Sequence, residues 1–345
     1  MSEYLFKRKE IFNYDFISVI VVTFNSSATI MECLNYLGQQ THDNFEVILV
    51  DNTPGEESKI FLESIKSVFK FPLRIFYPGL NLGFPGGNNY GILHASGKYI
   101  ALLNPDAMAD RLWLEELEKV MKVHPEVGIC ASKMIAYGTD LIDSAGDGYS
   151  TSLKGYKRGE NENKDKYIKG EKVFGACAGA ALYRKEMVEE IGFLDSDFFL
   201  IHEDTDFNFR AQLAGWKVFY VPTALVYHKV RSSIGHMSDT AVYYTLRNNE
   251  LVRFKNVPGS FFLRCLPELI LGLITEFIYF AVKHKHLRQY FKAKKDFLKV
   301  LPKIKNKRAL IMRNKKVSDN YLLSIITPLW QANYLKIKIK KLLND

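Results

Sequence analysis

Four apolar runs of strand length alternate with segments of helical periodicity in the first third of the chain, and this alternation limits the possible folds more than any other feature. The expected strands are residues 17–24, 45–50, 73–77 and 99–103, and the expected helices between them are residues 28–40, 58–69 and 89–95. Parallel strands joined by right-handed helical crossovers give such a pattern. We therefore predict an α/β fold with a doubly wound, mostly parallel sheet flanked by helices.

The expected strands end in polar residues. Asp51 follows the second run, and Asn104-Pro105-Asp106 follows the fourth. Pro105 cannot donate to a sheet ladder, so the fourth strand ends there. Open α/β sheets bind ligands at the carboxyl ends of their strands, and an acidic tip suits a divalent cation with the phosphates that it carries. The alternative is a plain turn in which Asp106 caps the next helix.

A second acidic cluster, Glu203-Asp204-Thr205-Asp206, opens a predicted helix at residues 203–214. Three carboxylates in four positions repel one another, which raises the pKa of at least one and makes it a candidate general base. The alternative is stabilisation of the helix dipole. His228 directly follows a predicted strand. It is either a core histidine or, beside a carboxylate, a ligand for a cation such as manganese.

The middle of the chain is less regular. We predict a helix at residues 113–124, strands at 127–136, 217–221 and 224–227, and a short helix at 184–191. Residues 138–170 are rich in Gly, Lys, Asp, Asn and Ser, and we expect a mobile loop or lid there. The glycine-rich residues 83–87 lack the Lys-Ser/Thr of a phosphate-binding P-loop and are weak evidence alone.

Cysteine usage and the first ten residues bear on the compartment. The four cysteines lie far apart with no CxxC pair, which disfavours a zinc site or a disulfide framework. Residues 1–10 lack the apolar core of a signal peptide. We expect a cytoplasmic protein.

The last third of the chain is basic. Residues 281–345 contain 18 lysines and arginines against three acidic residues, so the net charge of +9 hides a mildly acidic body. Residues 261–282 are apolar but interrupted by charges, which favours an amphipathic helix on a membrane surface, with residues 283–316 attracted to anionic headgroups. The alternatives are a helical appendage packed on the core and a nucleic-acid-binding tail, for which no recognition motif is present.

The motifs together resemble the GT-A type glycosyltransferases of family 2, especially a bacterial rhamnosyltransferase-like branch. The resemblance covers about residues 15–255, in the order of the family's motifs. The matching stretches are Val21-Val22-Thr23-Phe24-Asn25, Val50-Asp51-Asn52, the segment from Asn81 to Asn88, Leu102-Leu103-Asn104-Pro105-Asp106, Gly192-Phe193-Leu194-Asp195, the segment from Phe198 to Phe207, Arg210, Gly215-Trp216, Pro222 and His228.

This resemblance implies a role for each candidate residue. Asp106 and His228 would bind a divalent cation, Mn²⁺ or Mg²⁺, and Asp204 would be the catalytic base beside Glu203, with Asp206 helping to orient the acceptor. The residues implied at the nucleotide-sugar are Thr23, Asn25, Asp51, Asn52, Asn81, Gly83, Gly87, Asn88 and Asn104. The stretch Tyr243-Tyr244-x-x-Arg247-Asn248 would be a helix near the acceptor.

The implied activity is inverting, metal-dependent transfer of a sugar, rhamnose from dTDP-rhamnose being one candidate, from a dTDP-, UDP- or GDP-sugar to a polyprenyl-linked or polysaccharide acceptor. We expect a catalytic domain at residues 1–255 and a helical, membrane-associating region at 256–345, attached peripherally to the inner face of the cell membrane without nucleic acid. The alternative is a non-catalytic sugar-nucleotide or glycan-binding relative of the same fold.

Overall fold

Helices alternate with parallel strands in the first part of the computed structural model, which describes residues 16–229, 235 and 237–331. The expectations for residues 1–10 and for the last lysines of the basic tail lie outside the described residues. The first elements are β1 (Ile17–Thr23), α1 (Ser27–Leu37), β2 (Phe45–Asp51), α2 (Glu56–Ile65), β3 (Leu73–Phe76), α3 (Gly83–Leu93) and β4 (Tyr99–Leu103). Their order confirms the predicted alternation.

These four strands form a parallel half-sheet in the order β3-β2-β1-β4. The register pairs Ile17 with Phe45 and Thr23 with Asp51, so β1 and β2 end side by side. All residues of β2 and β4 are buried, as expected for strands covered on both faces. From β1 the chain continues to β2 and β3 on one side, and it then crosses back to place β4 on the other side of β1. In open α/β sheets such a reversal creates a crevice at the carboxyl ends of the two central strands.

The second half of the sheet mixes directions. The elements in this part of the chain are β5 (Ala107–Ala109), α4 (Trp113–Val123), β6 (Val127–Ala136), β7 (Ile142–Ala145), β8 (Asp147–Tyr149), β9 (Gly155–Lys157), β10 (Glu171–Val173), β11 (Ala180–Arg184), α5 (Lys185–Ile191), α6 (Glu203–Leu213) and β12 (Lys217–His228). Strands β8 and β9 form a separate two-stranded sheet. Antiparallel β11 joins β4 to β6, and β12 runs parallel to β6. Across the described residues this makes one ten-stranded α/β sheet flanked by helices, which confirms the predicted fold class.

Three local predictions were wrong. Residues 138–170 are not an irregular loop but carry β7 and the β8–β9 hairpin, whose strands of three or four residues are too short to show alternation. The predicted strands 217–221 and 224–227 are one strand with an irregularity between Val221 and Leu225. Helix α3 begins at Gly83 rather than at residue 89, because Pro85 lies in the first turn, where a missing N–H costs nothing.

The C-terminal helices pack on the sheet domain. They are α7 (Asp239–Asn256), α8 (Gly259–Arg264), α9 (Leu266–Phe277), a π-helical turn (Ile278–Lys283), α10 (Leu287–Arg313) and α11 (Asp319–Ile325). Phe209 of α6, Leu251 of α7 and Ile304 of α10 share one apolar core. The domain boundary at residue 255 stays a prediction, since this core crosses it. In the described part of the chain, no helix combines the length and apolar character needed to cross a membrane.

Candidate active site

The carboxyl ends of β1 and β2 form a polar edge of the sheet. The Asp51 Oδ1 atom accepts hydrogen bonds from the Thr23 hydroxyl and the Thr53 amide, each at 3.0 Å. The Asp51 Oδ2 and Asn52 Oδ1 atoms are buried, and neither has a partner among the described residues. Asn25, exposed with φ 53°, donates its amide to the Thr53 hydroxyl at 2.9 Å. Unsatisfied buried acceptors are costly, so this edge is suited to a ligand that donates N–H or O–H groups.

The predicted residues of α3 lie behind this edge rather than on its surface. Asn81 accepts the Gly83 amide at 2.9 Å, and the buried Asn88 side chain donates to the carbonyl one turn earlier. A Cβ atom at Gly87 would lie 2.6 Å from a β1 side chain, and one at Gly83 would lie 2.3 Å from the Phe199 carbonyl oxygen. Gly87 therefore allows α3 to pack closely on β1, and Gly83 allows it to pack closely on the loop that contains Phe199.

Asp106 and His228 meet beyond the end of β4. Ala107 pairs with His228 across β5 and β12, which brings the Asp106 Oδ1 atom to 3.3 Å from the His228 Nε2 atom. The Asn104 amide lies 3.5 Å from the same nitrogen. A carboxylate and an imidazole together form a donor set that fits Mn²⁺.

Protein side chains alone would not complete a metal site here. Within residues 16–229, 235 and 237–331, no group of three or more His, Cys, Asp or Glu side chains could hold a metal ion. Manganese and magnesium at nucleotide sites are commonly bound by one or two protein ligands together with phosphate oxygens and water. The Asp106–His228 pair fits that arrangement.

Asp143 of β7 stands behind His228, and the sequence did not indicate it. Its Oδ2 atom lies 2.9 Å from the His228 Nδ1 atom, and both side chains are buried. Burial opposes a charged imidazole, but the hydrogen bonds to Asp106 and Asp143 outweigh it and raise the pKa of His228 to about 9. Asp143 was missed because it belongs to the region predicted to be a loop.

Glu203 and Asp204 begin α6, and their surroundings differ. Burial, followed by the Asp204 charge, raises the pKa of Glu203 to about 8, and its Oε2 atom has no partner in the described part of the chain. Burial also raises the pKa of Asp204, although hydrogen bonds from two backbone amides lower it in part. These are the amides of Thr205, at 2.6 Å, and of Ala178. The pKa of both residues is raised, as the sequence predicted, but burial contributes more than the mutual repulsion of the carboxylates. Asp204 is partly exposed, whereas Glu203 is buried.

Asp206 points into the protein. Its Oδ2 atom accepts from the Arg210 Nε atom at 2.9 Å, and its Oδ1 atom contacts the Asn256 amide at 2.7 Å and the Lys255 ammonium at 2.8 Å. The side chain is fully buried. The structure thus places Asp206 in an ion-pair network that joins α6 to the end of α7, away from any surface that an acceptor could reach.

The loop before α6 is strained and held from α7. Phe199, Ile201 and His202 have φ angles between 62° and 70°, which non-glycine residues adopt at a cost. The Asn248 Nδ2 atom donates to three carbonyls of this loop, at 2.9 Å from Phe198 and 2.7 Å from Leu200 and Ile201. The motif that contains Asn248 is helical, as predicted, and it fixes the segment that aims Asp204.

One short segment connects the two acidic centres. The Gly179 carbonyl accepts a hydrogen bond from the Asn104 backbone amide at 2.8 Å, and the Ala178 backbone amide donates to the Asp204 carboxylate. The Asp106–His228 pair and Asp204 therefore flank Ala178-Gly179. The sequence predicted both centres, and the structure places them at one edge of the sheet.

Comparison with known proteins identifies similar chains. EpsH of Bacillus subtilis, named as a glycosyltransferase, is 25% identical over 221 residues, covering 63% of this chain and 61% of EpsH. A Methanococcus voltae protein named "Dolichyl N-acetyl-alpha-D-glucosaminyl phosphate 3-beta-D-2,3-diacetamido-2,3-dideoxy-beta-D-glucuronosyltransferase" is 22% identical over 301 residues, covering 84% of this chain and 92% of its own length. The chain thus spans about three fifths of EpsH but most of the archaeal protein.

Solved structures and a family model complete the comparison. GalNAc-T7 with UDP, GalNAc and Mn²⁺ aligns with a TM-score of 0.60 at 17% identity, over 79% of this chain and 55% of that one. Staphylococcus aureus TarS 1–349 with UDP-GlcNAc aligns at 0.54 and 17%, over 94% and 90%. These likenesses show the fold alone. The model described as "Glycosyl transferase family 2" matches residues 18–192, about half of the chain, and the chain therefore belongs to glycosyltransferase family 2.

Proposed function

We propose that this protein is an inverting, metal-dependent glycosyltransferase that moves a sugar from a nucleotide-sugar to a hydroxyl group of a lipid-linked or cell-surface polysaccharide acceptor. The observation that carries the proposal is the placement of the Asp106–His228 pair and Asp204 on either side of Ala178-Gly179. Sugar transfer needs charge stabilisation at the departing diphosphate and a base at the acceptor. This edge of the sheet offers side chains for both.

Asp204 is the proposed base. It is partly exposed, and the Thr205 and Ala178 amides hold its carboxylate in a fixed direction. It would take the acceptor's hydroxyl proton while the oxygen attacks the anomeric carbon from the side opposite the diphosphate, so the configuration inverts. Asp106 and His228 would hold the cation. When bound, a divalent cation neutralises charge on the leaving diphosphate.

Asp51 and Asn52 are the proposed donor contacts. Their unpaired oxygens match N–H groups on the edge of a nucleobase, which uracil, thymine and guanine all carry. The sequence resemblance favours dTDP-rhamnose. The neighbours TarS and an archaeal mannosyltransferase were solved with UDP-GlcNAc and with GDP-mannose and Mn²⁺, so UDP- and GDP-sugars are candidates as well.

The proposed acceptor lies at a membrane. The Methanococcus voltae relative is named for a dolichyl-linked phosphate acceptor, and an Erwinia amylovora relative is named for amylovoran biosynthesis. In this chain α9 and the π-helical turn carry exposed apolar residues at four-residue spacing, which we call the apolar stripe: Leu266, Ile270, Ile274, Ile278 and Val282. Exposed lysines and arginines of α10 follow it. An apolar face beside cations suits the inner, anionic surface of a cell membrane.

The decisive experiment is calorimetric binding of a panel of UDP-, GDP- and dTDP-sugars, with and without Mn²⁺. We expect one donor to bind only with Mn²⁺, and we expect Asp106→Ala to abolish that binding. Transfer to a lipid-linked acceptor should follow with the same donor. If no donor shows metal-dependent binding, the non-catalytic, sugar-nucleotide-binding alternative replaces the proposal.

A further inference from the structure

Asp143 uses both carboxylate oxygens within the protein. Its Oδ2 atom faces the His228 Nδ1 atom at 2.9 Å, and its Oδ1 atom accepts from the Lys157 ammonium at 2.7 Å. Asp143 is 5% exposed, so water does not compete strongly for either oxygen. Asp143 is contributed by β7 and Lys157 by β9, two short strands within the region between β6 and β10.

This arrangement defines which ring nitrogen of His228 can bind a cation. A carboxylate accepts but does not donate, so in the neutral imidazole it selects the tautomer with the proton on Nδ1. The lone pair is then on Nε2, the atom that lies 3.3 Å from Asp106. Lys157 donates only, and it therefore keeps an acceptor oxygen of residue 143 turned toward itself.

We propose that Asp143 and Lys157 are positioning residues for the metal ligand His228, with Asp143 selecting the tautomer and Lys157 fixing the orientation of Asp143. This inference rests on the proposed function, because it assigns a purpose to the metal pair of the same site. Neither residue contacts the cation. Their effect is on how well His228 presents its Nε2 lone pair.

The two contacts predict an unusual result for Asp143→Asn. An asparagine side chain has one acceptor oxygen, and the Lys157 ammonium donates to it. The amide NH₂ group then faces the His228 Nδ1 atom and donates to it, which leaves the proton on Nε2 and removes the lone pair from the metal side. Removing Lys157 as well lets the amide turn over, so the oxygen can again accept from Nδ1.

The test is Mn²⁺ affinity, measured by electron paramagnetic resonance of free Mn²⁺ in the presence of UDP. Loss of an outer-shell carboxylate typically weakens metal binding about 10–100-fold, and we expect a loss of this size for Asp143→Asn. Lys157→Met should lose less. The double variant Asp143→Asn/Lys157→Met should bind Mn²⁺ more tightly than Asp143→Asn alone. Asp147→Asn, on the neighbouring strand and opposite Lys157, is the matched control and should bind like the wild type.

A double variant no better than Asp143→Asn, or an Asp143→Asn variant with wild-type affinity, would overturn the inference. Absence of Mn²⁺ binding in the wild type with UDP, and likewise with GDP and with dTDP, would instead overturn the proposed metal pair, so the two failures are distinguishable. If Asp143→Asn does not fold, the inference can still be tested on the wild type. In ¹⁵N-histidine-labelled wild type at a pH where His228 is neutral, NMR should show the proton on Nδ1; a proton on Nε2 contradicts the inference.

Discussion

Glu203 and Asp204 are adjacent carboxyl groups with different chemical prospects. The Glu203 side chain is buried, its Oε2 atom lacks a partner within the described residues, and its pKa is raised to about 8 by burial and then by Asp204. Asp204 also has a raised pKa, but two backbone amides and the Lys157 charge favour its ionised form. Asp204, the partly exposed member of the pair, is therefore the one whose ionised form the protein stabilises.

Isosteric substitutions separate the two residues. Asp204→Asn should lower turnover about 10²–10⁴-fold, because the amide cannot accept the acceptor's proton. Glu203→Gln should leave turnover at pH 7 nearly unchanged, because the amide resembles the protonated carboxyl already present. Single-turnover transfer with saturating donor measures both, and donor binding by calorimetry is the control that should stay unchanged in each variant. Equal losses in the two variants would contradict the assignment of the base.

The raised pKa of Glu203 also predicts a pH dependence of stability. The ordinary value is 4.5 and the folded value about 8, so between these the folded state holds a proton that the unfolded state has released. The free energy of unfolding then falls as pH rises through this window. Glu203→Gln lacks this loss, and its stability advantage over the wild type should grow from about pH 4.5 to about pH 8. Urea denaturation of both proteins at several pH values measures it; a constant difference would refute the shift.

At the scale of elements, the sequence predicted the parallel half of the sheet well. Strands β1, β2 and β4 are buried on both faces, so each appears as a continuous apolar run that stops at a polar tip. The polar ends of these runs predicted that Asp51 and Asp106 lie at the edge of the sheet where a ligand would bind. Asp143 and Lys157 could not be predicted, because β7 and β9 have four and three residues and their pairing depends on distant backbone partners.

The contact between α7 and the loop before α6 was also beyond the sequence, although both segments were recognised. Nothing local indicates that Phe199, Ile201 and His202 adopt positive φ angles, since these residue types disfavour them. The strain is sustained by the three hydrogen bonds of the Asn248 amide. Position and strain together suggest that α7 sets the direction of α6 and hence of Asp204.

Asn248→Ala should therefore affect both stability and turnover. The partly buried Leu200 and Ile201 carbonyls lose their donor, whereas the Phe198 carbonyl keeps the Leu200 amide. A cost of about 1–3 kcal/mol in the free energy of unfolding is expected for such a loss. The loop is then free to relax, so turnover should fall more than the affinity for donor. Asn249→Ala, at the adjacent buried position of α7, is the matched control and should retain turnover. A turnover loss in Asn249→Ala as large as that in Asn248→Ala would count against the clamp.

At the scale of the whole molecule, α9 has two faces with different partners. Inward, Gly272 packs against Ser152, and the buried Glu276 pairs with Arg253 and Lys154. Gly155, one residue after Lys154, packs against Thr205, the neighbour of Asp204. Outward, α9 carries the apolar stripe. The segment 152–155 thus contacts both α9 and the residue next to the proposed base. This short connection favours an acceptor that reaches Asp204 from the membrane surface.

Vesicle binding tests this arrangement. The wild type should co-sediment with vesicles of phosphatidylcholine and phosphatidylglycerol, and less with phosphatidylcholine alone, because cations of α10 add attraction to anionic headgroups. Ile270→Glu/Ile274→Glu should lose most binding, since each isoleucine gains up to about 2 kcal/mol on leaving water. The matched control is Ile60→Glu/Val68→Glu, two exposed apolar residues in and after α2, and it should bind normally.

Salt and DNA separate the remaining interpretations of the basic region. Raising the salt concentration should weaken vesicle binding without abolishing it, because charges are screened within about 10 Å at 0.1 M salt while apolar contact persists. Binding that disappears completely with salt and is equally strong to duplex DNA would identify a purely electrostatic surface and revive a nucleic-acid partner. Vesicle binding unchanged in Ile270→Glu/Ile274→Glu would mean that α9 faces another protein or solvent, and the acceptor would then have to reach Asp204 from a different side.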